Sequence, residues 1–133
     1  MARMSQSTGM NVGTMAPVHY GRERLEDRPM PKLIVLYPPP LDVAEFERRY
    51  RLEHAPMVRD TIPGLRRFVA ARVLGTPDGE APYQRVAELY FDSLETLQSA
   101  MASPGGQAAV AHAGEISTGG APLVLIAEDD GPV

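Results

Sequence analysis

Three side chains in the sequence have the chemistry expected of an acid–base site. His54 follows Tyr50 by about one helical turn, so one helix face could carry both side chains. Histidine titrates near neutral pH and can take or give a proton. Tyr50 could hold a substrate carbonyl or enolate oxygen. Glu88, in the middle of an apolar stretch, could act as a base or orient His54.

Each of these residues also has a purely structural interpretation. His54 could hydrogen-bond the last carbonyls of a helix, where the helix dipole favours its charge and burial opposes it. Tyr50 could be a core tyrosine whose hydroxyl reaches water. Glu88 could form an ion pair across the sheet with Arg67 or Arg72. The sequence leaves both interpretations of each residue open.

The composition narrows the class of protein. The chain has 133 residues, no cysteine and a net charge of -4. Its size suits one domain, and the missing cysteines exclude disulfides, thiolate metal sites and cysteine nucleophiles. The negative charge argues against nucleic acid as a main partner, and no apolar run approaches the ~18 residues of a membrane span. We therefore expect a soluble, cytoplasmic protein that binds neither nucleic acid nor membrane.

No motif for a cofactor is present. The sequence has no glycine-rich nucleotide loop, and His19, His54 and His112 are too scattered for a recognisable metal motif. We therefore expect no cofactor and no metal. His112 is predicted to lie exposed on the second helical region.

The composition changes near Pro31. Residues 1–31 hold five of the seven methionines and show no apolar period, which predicts a flexible tail. A mistaken start codon is an alternative explanation, and residues 20–28 could instead form an arm on a neighbour. The domain is expected to span residues 32–130.

Apolar periodicity predicts four strands and two helical regions in the order βαββαβ. Strands are expected at 32–37, 65–74, 83–91 and 123–127, and helices at 43–53 and beyond the cap at Ser93, with a restart at Ser103 and Pro104. Asp42 should cap the first helix. The buried face of this helix should carry Val43, Phe46, Tyr50 and His54. Pro56 should prevent this helix from continuing without interruption.

This order predicts an α+β, ferredoxin-like fold with an antiparallel sheet and both helices on one face. The first and fourth strands are apolar on both sides, yet the helices can cover only one. A second copy of the sheet would cover the other side. We therefore expect a homodimer with sheet facing sheet.

Four segments, in this order, resemble the EthD (ethyl tert-butyl ether degradation) family of dimeric α/β barrel proteins. They are KLIVLYPPP at 32–40, HAPMVRDTIPGLRRF at 54–68, APYQRVAELYFDSLE at 81–95 and ASPGGQAA at 102–109. The resemblance implies a small protein associated with oxidoreductases and with oxidative degradation of ethers and other xenobiotics. Barrels of this kind also serve cofactor-independent monooxygenases, muconolactone isomerases and polyketide cyclases, so the fold is implied more firmly than the reaction. The family's His-x-Pro step matches His54 and Pro56, which implies a role for His54.

We predict an apolar pocket between sheet and helices that binds a small hydrophobic or aromatic carbonyl compound. The predicted catalytic residues are His54, Tyr50 and Glu88, and the predicted substrate-binding residues are Tyr37, Tyr83 and Phe68. Cofactor-free oxidation and isomerase-like proton transfer both fit these residue types. The alternatives are a non-catalytic binding protein or accessory of an oxygenase, and a cofactor-free isomerase or cyclase. An enzyme is favoured if His54 and Glu88 line the same cavity.

Overall fold

The computed structural model describes residues 29–132. Within them, Met30–Asp129 form a compact unit. Met30 is buried and Pro31 begins the first strand, although both were predicted to belong to the tail. The predicted flexibility of the segment before residue 29, and the arm at 20–28, concern residues outside the described part.

The unit is a four-stranded antiparallel sheet with helices on one face. Its elements are β1 (Pro31–Tyr37), α1 (Val43–Arg49), a π-helical turn (Tyr50–His54), α2 (Ala55–Thr61), β2 (Arg67–Arg72), β3 (Arg85–Tyr90), α3 (Leu94–Ala102), α4 (Pro104–Ile116) and β4 (Leu123–Glu128). The strand order is β2-β3-β1-β4, with every neighbouring pair antiparallel. This confirms the predicted α+β, ferredoxin-like fold.

Three predicted helix caps are present. The Asp42 carboxylate accepts a hydrogen bond from the backbone N–H of Glu45 at 3.1 Å, which starts α1. Ser93 and Ser103 accept in the same way at the starts of α3 and α4. The side chains of these turns therefore satisfy backbone N–H groups that a helix leaves unpaired.

The α-helix is interrupted before Pro56, as predicted, but by a π-helical turn, so the predicted helix end near Glu53 is wrong. The π-helical turn joins α1 to α2, and the Ala55 N–H donates to the Tyr50 carbonyl five residues back. Pro56 then falls in the first turn of α2, where its missing N–H costs little. Tyr50 and His54 consequently stay on the buried side, whereas Val43, expected there, is 51% exposed.

The two faces of the sheet differ sharply. Directly paired residues of antiparallel strands share a face, so the register assigns each side chain to one side. The face under the helices carries Leu33, Val35 and Tyr37 of β1 with Ala87 and Leu89 of β3, all buried. The opposite face, called here the outer face, carries half-buried Ile34, Leu36 and Val86 and the exposed Leu123 and Leu125 of β4. No helix within residues 29–132 is long and apolar enough to span a membrane.

Candidate functional site

A cavity of about 390 Å³ lies between the sheet and the helices. Most of its wall is aliphatic, from residues that include Leu33, Val35, Val58, Ile62, Leu89 and Met101. Polar groups enter this wall from Tyr37, Tyr50 and His54. An apolar cavity with a few convergent polar groups is the usual form of a small-molecule site.

Local backbone structure brings these three polar residues together. Tyr37 is the last residue of β1, and the π-helical turn places Tyr50 and His54 against it. The rings of Tyr37 and Tyr50 meet edge to face with centroids 5.5 Å apart. The Tyr37 hydroxyl lies 3.2 Å from Nε2 of His54.

A fourth residue, His112 on α4, extends the contact from the cavity wall to the surface. Its ring stacks on that of His54 with centroids 5.2 Å apart, and the two Nδ1 atoms are separated by 3.0 Å. Its Nε2 lies 3.3 Å from Oε1 of Glu53, which also accepts from Arg49. His112 is half-buried, so the prediction that it is exposed is wrong. The spacing of Ala109, Ala113 and Ile116 marks the buried side of α4 and could have placed His112 beside it.

Close helix packing makes this histidine contact possible. α4 starts against the end of α2, and a Cβ at Gly105 would collide with the carbonyl oxygen of Thr61. Glycine at this position lets α4 approach closely enough for His112 to reach His54.

The chain of contacts has a consistent direction of hydrogen bonding. The hydrogen bond from Arg49 lowers the pKa of Glu53, so its carboxylate accepts from Nε2–H of His112. Nδ1 of His112 then accepts from the Nδ1–H of His54. His54 in turn accepts at Nε2 from the hydroxyl of Tyr37. The bonds therefore run from Tyr37 through both histidines to the surface.

Burial sets the protonation of the cavity wall. Burial, assisted by neighbouring His112, lowers the pKa of His54 to about 4, so the ring is neutral at pH 7. His54 is not at a helix end, because the helical path continues into α2, and burial therefore determines its charge. Burial also raises the pKa of Tyr50 to about 12, against the opposing effect of Arg85, and raises that of Tyr37. Both tyrosines keep their hydroxyl hydrogen at neutral pH.

The Tyr50 hydroxyl is buried without a hydrogen-bond partner among the described residues. Its side chain is 1% exposed, and the guanidinium of Arg85 lies 4.5 Å from its ring centroid. Leaving a buried hydroxyl unpaired costs about 1–3 kcal/mol. A ligand oxygen in the cavity would supply the missing partner.

Glu88 does not share the cavity with His54, and the prediction that it orients His54 is wrong. It pairs in register with Ile34 and Val69 on the outer face, where its carboxylate lies 3.4 Å from the Lys32 ammonium. The expected partners Arg67 and Arg72 do not form this ion pair; Lys32 forms it, and the Tyr90 hydroxyl donates a hydrogen bond to Glu88. The alternation along β3 was predicted correctly, but alternation alone does not show which face of the strand packs against the helices.

The predicted substrate-binding residues divide in the same way. Tyr37 and Phe68 line the cavity, whereas Tyr83 precedes β3 and is not part of the wall. Within residues 29–132, no group of three or more His, Cys, Asp or Glu side chains is placed to share a metal ion.

Comparison with known proteins adds the family context. The EthD domain model matches residues 38–116. A protein of Rhodococcus erythropolis, described as an uncharacterized 11.0 kDa protein in the thcB-thcC intergenic region, is 34% identical over 101 residues. The match covers 75% of this chain and 96% of the relative.

Solved structures similar to this chain include an EthD family protein and a dimeric ferredoxin-like protein. The crystal structure of an ethyl tert-butyl ether d (EthD) family protein from Bacillus halodurans has 38% sequence identity and a TM-score of 0.71, covering 75% of this chain and 98% of that one. A dimeric ferredoxin-like protein of unknown function from Jannaschia has 16% identity and a TM-score of 0.57, covering 77% and 99%. The second likeness shows the fold alone.

Proposed function

The chain belongs to the EthD domain family, and from this premise we propose that its cavity binds a small hydrophobic or aromatic carbonyl compound and moves a proton at the carbon next to the carbonyl. One observation carries the proposal. His54, neutral in an apolar wall, is joined through His112 to Glu53 at the surface. Buried titratable groups in a cavity are a common mark of a functional site.

Binding uses the groups that the cavity leaves available. The aliphatic wall holds the body of the ligand, and the unpartnered hydroxyl of Tyr50 donates to its carbonyl oxygen. The hydroxyl of Tyr37 can turn about its C–O bond, so it transfers its hydrogen bond from His54 to the same oxygen. Nε2 of His54 is thereby freed.

The proton then leaves the ligand carbon for Nε2 of His54. As the C–H bond breaks, its electron pair becomes the enolate, whose oxygen is held by the hydroxyls of Tyr37 and Tyr50. His54 gives its Nδ1 proton to Nδ1 of His112, 3.0 Å away. In a ligand whose enolate is conjugated with a C=C bond, return of the proton along the same path to the γ-carbon is an isomerisation.

Proton transfer to His112 compensates for the low pKa of His54. A buried imidazolium at this position is unfavourable, so His54 acting alone is a weak base at pH 7. With proton transfer to His112, the positive charge rests beside the Glu53 carboxylate, which stabilises it. His54 exchanges one ring proton for another and stays neutral.

A non-catalytic binding protein is the second candidate function. Two observations favour it: Glu88 does not line the cavity with His54, and both ring nitrogens of His54 already have hydrogen-bond partners inside the protein. In that case the same cavity would hold the carbonyl compound, and His54 would only fix the wall.

Hydrogen exchange separates the two functions. Propiophenone is incubated with the protein in D₂O at pH 7, and NMR follows both its binding and the loss of its α-hydrogen signal. We expect exchange faster than in buffer, and a loss of about 10²-fold or more in His54→Gln. Glu88→Gln, altered on the outer face, is the matched control and should keep the wild-type rate. Binding without faster exchange would overturn proton transfer in favour of the binding protein, and absence of binding would overturn both.

We further propose that the chain is a homodimer built on the outer face. Two large apolar side chains of β4 on this face, Leu123 and Leu125, are 44% and 45% exposed, and β4 is an edge strand that is open to pairing. Two charged residues of the outer face, Lys32 and Glu88, pair with each other, which lowers the cost of covering them. The similar Jannaschia protein is described as dimeric. Cytoplasmic location, oxidoreductase activity and a part in xenobiotic degradation stay predictions.

A further inference from the structure

A second depression, of about 330 Å³, adjoins the apolar cavity. The two share Tyr50 and Phe68 as lining residues, so these aromatic rings stand at the boundary between them. Three arginines line the second depression: Arg51, Arg59 and Arg85. The second depression is therefore positively charged, whereas the cavity is mostly apolar.

Only one of these three arginines forms an ion pair with a carboxylate among the described residues. Arg85 is 8% exposed and binds both carboxylate oxygens of Glu47, at 2.8 and 3.0 Å. Arg51 and Arg59 are exposed, and no carboxylate within residues 29–132 forms an ion pair with either. Two positive charges therefore line this depression without a partner among the described residues, in a chain whose net charge is -4.

The buried hydroxyl of Tyr50 is an independent sign of a ligand at the same boundary. It has no hydrogen-bond partner among the described residues, although its side chain is 1% exposed. The positive charges of Arg85 and Arg59 both act on this hydroxyl and oppose the rise of its pKa. The donor without a partner thus lies within the field of the arginines.

We propose that the cavity and the arginine-lined depression form one site for an organic carboxylate. The apolar part of the ligand, with its carbonyl, occupies the cavity, and its carboxylate lies between Arg51 and Arg59. Guanidinium groups suit this role because their N–H donors match the two oxygens of a carboxylate. This inference rests on the proposed binding cavity and narrows its ligands from carbonyl compounds in general to keto acids.

Matched ligands test the inference by binding alone, with no chemical step. Calorimetry of the full-length protein at pH 7 compares 4-oxo-4-phenylbutanoate with its amide, 4-oxo-4-phenylbutanamide. The two have nearly the same shape and differ in charge. We expect the carboxylate to bind at least tenfold more tightly, and this ratio to shrink as salt is raised from 50 to 500 mM because exposed charges are screened.

Variants then show whether the two arginines are responsible. In the double variant Arg51→Gln and Arg59→Gln we expect the ratio to fall to about one, with unchanged affinity for the amide. Arg66→Gln is the matched control, since this exposed arginine pairs with Asp92 and lines neither depression. All these side chains are exposed, and circular dichroism confirms that each variant is folded.

The outcomes distinguish this inference from the proposed function. Equal binding of both ligands, or a preference that survives in the double variant, would overturn the carboxylate site and leave the cavity proposal standing. Failure of both ligands to bind would overturn the cavity proposal as well. A preference for the carboxylate without hydrogen exchange would support the site while refuting proton transfer.

Discussion

Acidification should unfold this protein earlier than its carboxylates alone would require, because His54 must stay neutral when folded. Its pKa is about 4 in the folded chain, against an ordinary value of 6.5. The unfolded chain therefore binds a proton that the folded chain refuses, and stability is lost as the pH falls through this interval. The full difference corresponds to about 3 kcal/mol, and about 2 kcal/mol of it falls between pH 7 and pH 5.

The pH range over which stability is lost distinguishes the contribution of His54 from that of the acidic residues. Glu47 and Glu53 have lowered pKa values, so their contribution is present above the ordinary value of 4.5 and is lost only below it. Urea unfolding at pH 7, 6 and 5, at one protein concentration, gives the free energy of unfolding for the wild type and for His54→Gln. We expect the wild type to lose about 2 kcal/mol more than the variant over this range. Parallel losses in both proteins would refute the conclusion that burial holds His54 neutral.

Three further perturbations test the interface, the unpaired hydroxyl and the tail. Leu125→Asp should give a monomer in light scattering at micromolar concentration. Leu52→Asp, a change at an exposed position of the π-helical turn, should leave the dimer intact. A dimeric Leu125→Asp protein would argue against the outer face as the interface. Tyr50→Phe removes a buried hydroxyl without a partner, so thermal unfolding should show unchanged or higher stability, by up to about 1 kcal/mol, while hydrogen exchange of propiophenone slows. A loss of stability would mean that Tyr50 has a partner. Removing residues 1–28 should shift the melting temperature by less than about 5 °C, and a larger fall would show that this segment contributes to stability.

The fold was predictable because its pattern is local. The alternation of residues 83–91 and the caps at Asp42, Ser93 and Ser103 each specify an element, and their order leaves few topologies. The family resemblance is confirmed by the EthD domain model, which matches residues 38–116. The helix was predicted to end near Glu53, whereas it continues through a π-helical turn into α2, and such a turn has no clear sequence signal.

The candidate site was predictable only in part, because it depends on which face of each strand packs against the helices. Tyr50 and His54 follow from helical spacing and were placed correctly on the buried side. Glu88 was assigned to the correct set of alternating residues but to the wrong environment, since strand period alone does not tell inner from outer. His112 lies 58 residues from His54, and no local pattern reports a contact across that separation.

The relay through His112 is the central claim, and one measurement tests it most directly. The rate of α-hydrogen exchange of propiophenone in D₂O at pH 7 is compared between the wild type and His112→Asn. The asparagine oxygen can still accept from Nδ1–H of His54, but it cannot take up the proton. We predict unchanged affinity for propiophenone and an exchange rate lower by about 10²-fold. A His112→Asn protein that binds propiophenone and exchanges its hydrogens at the wild-type rate would contradict the relay.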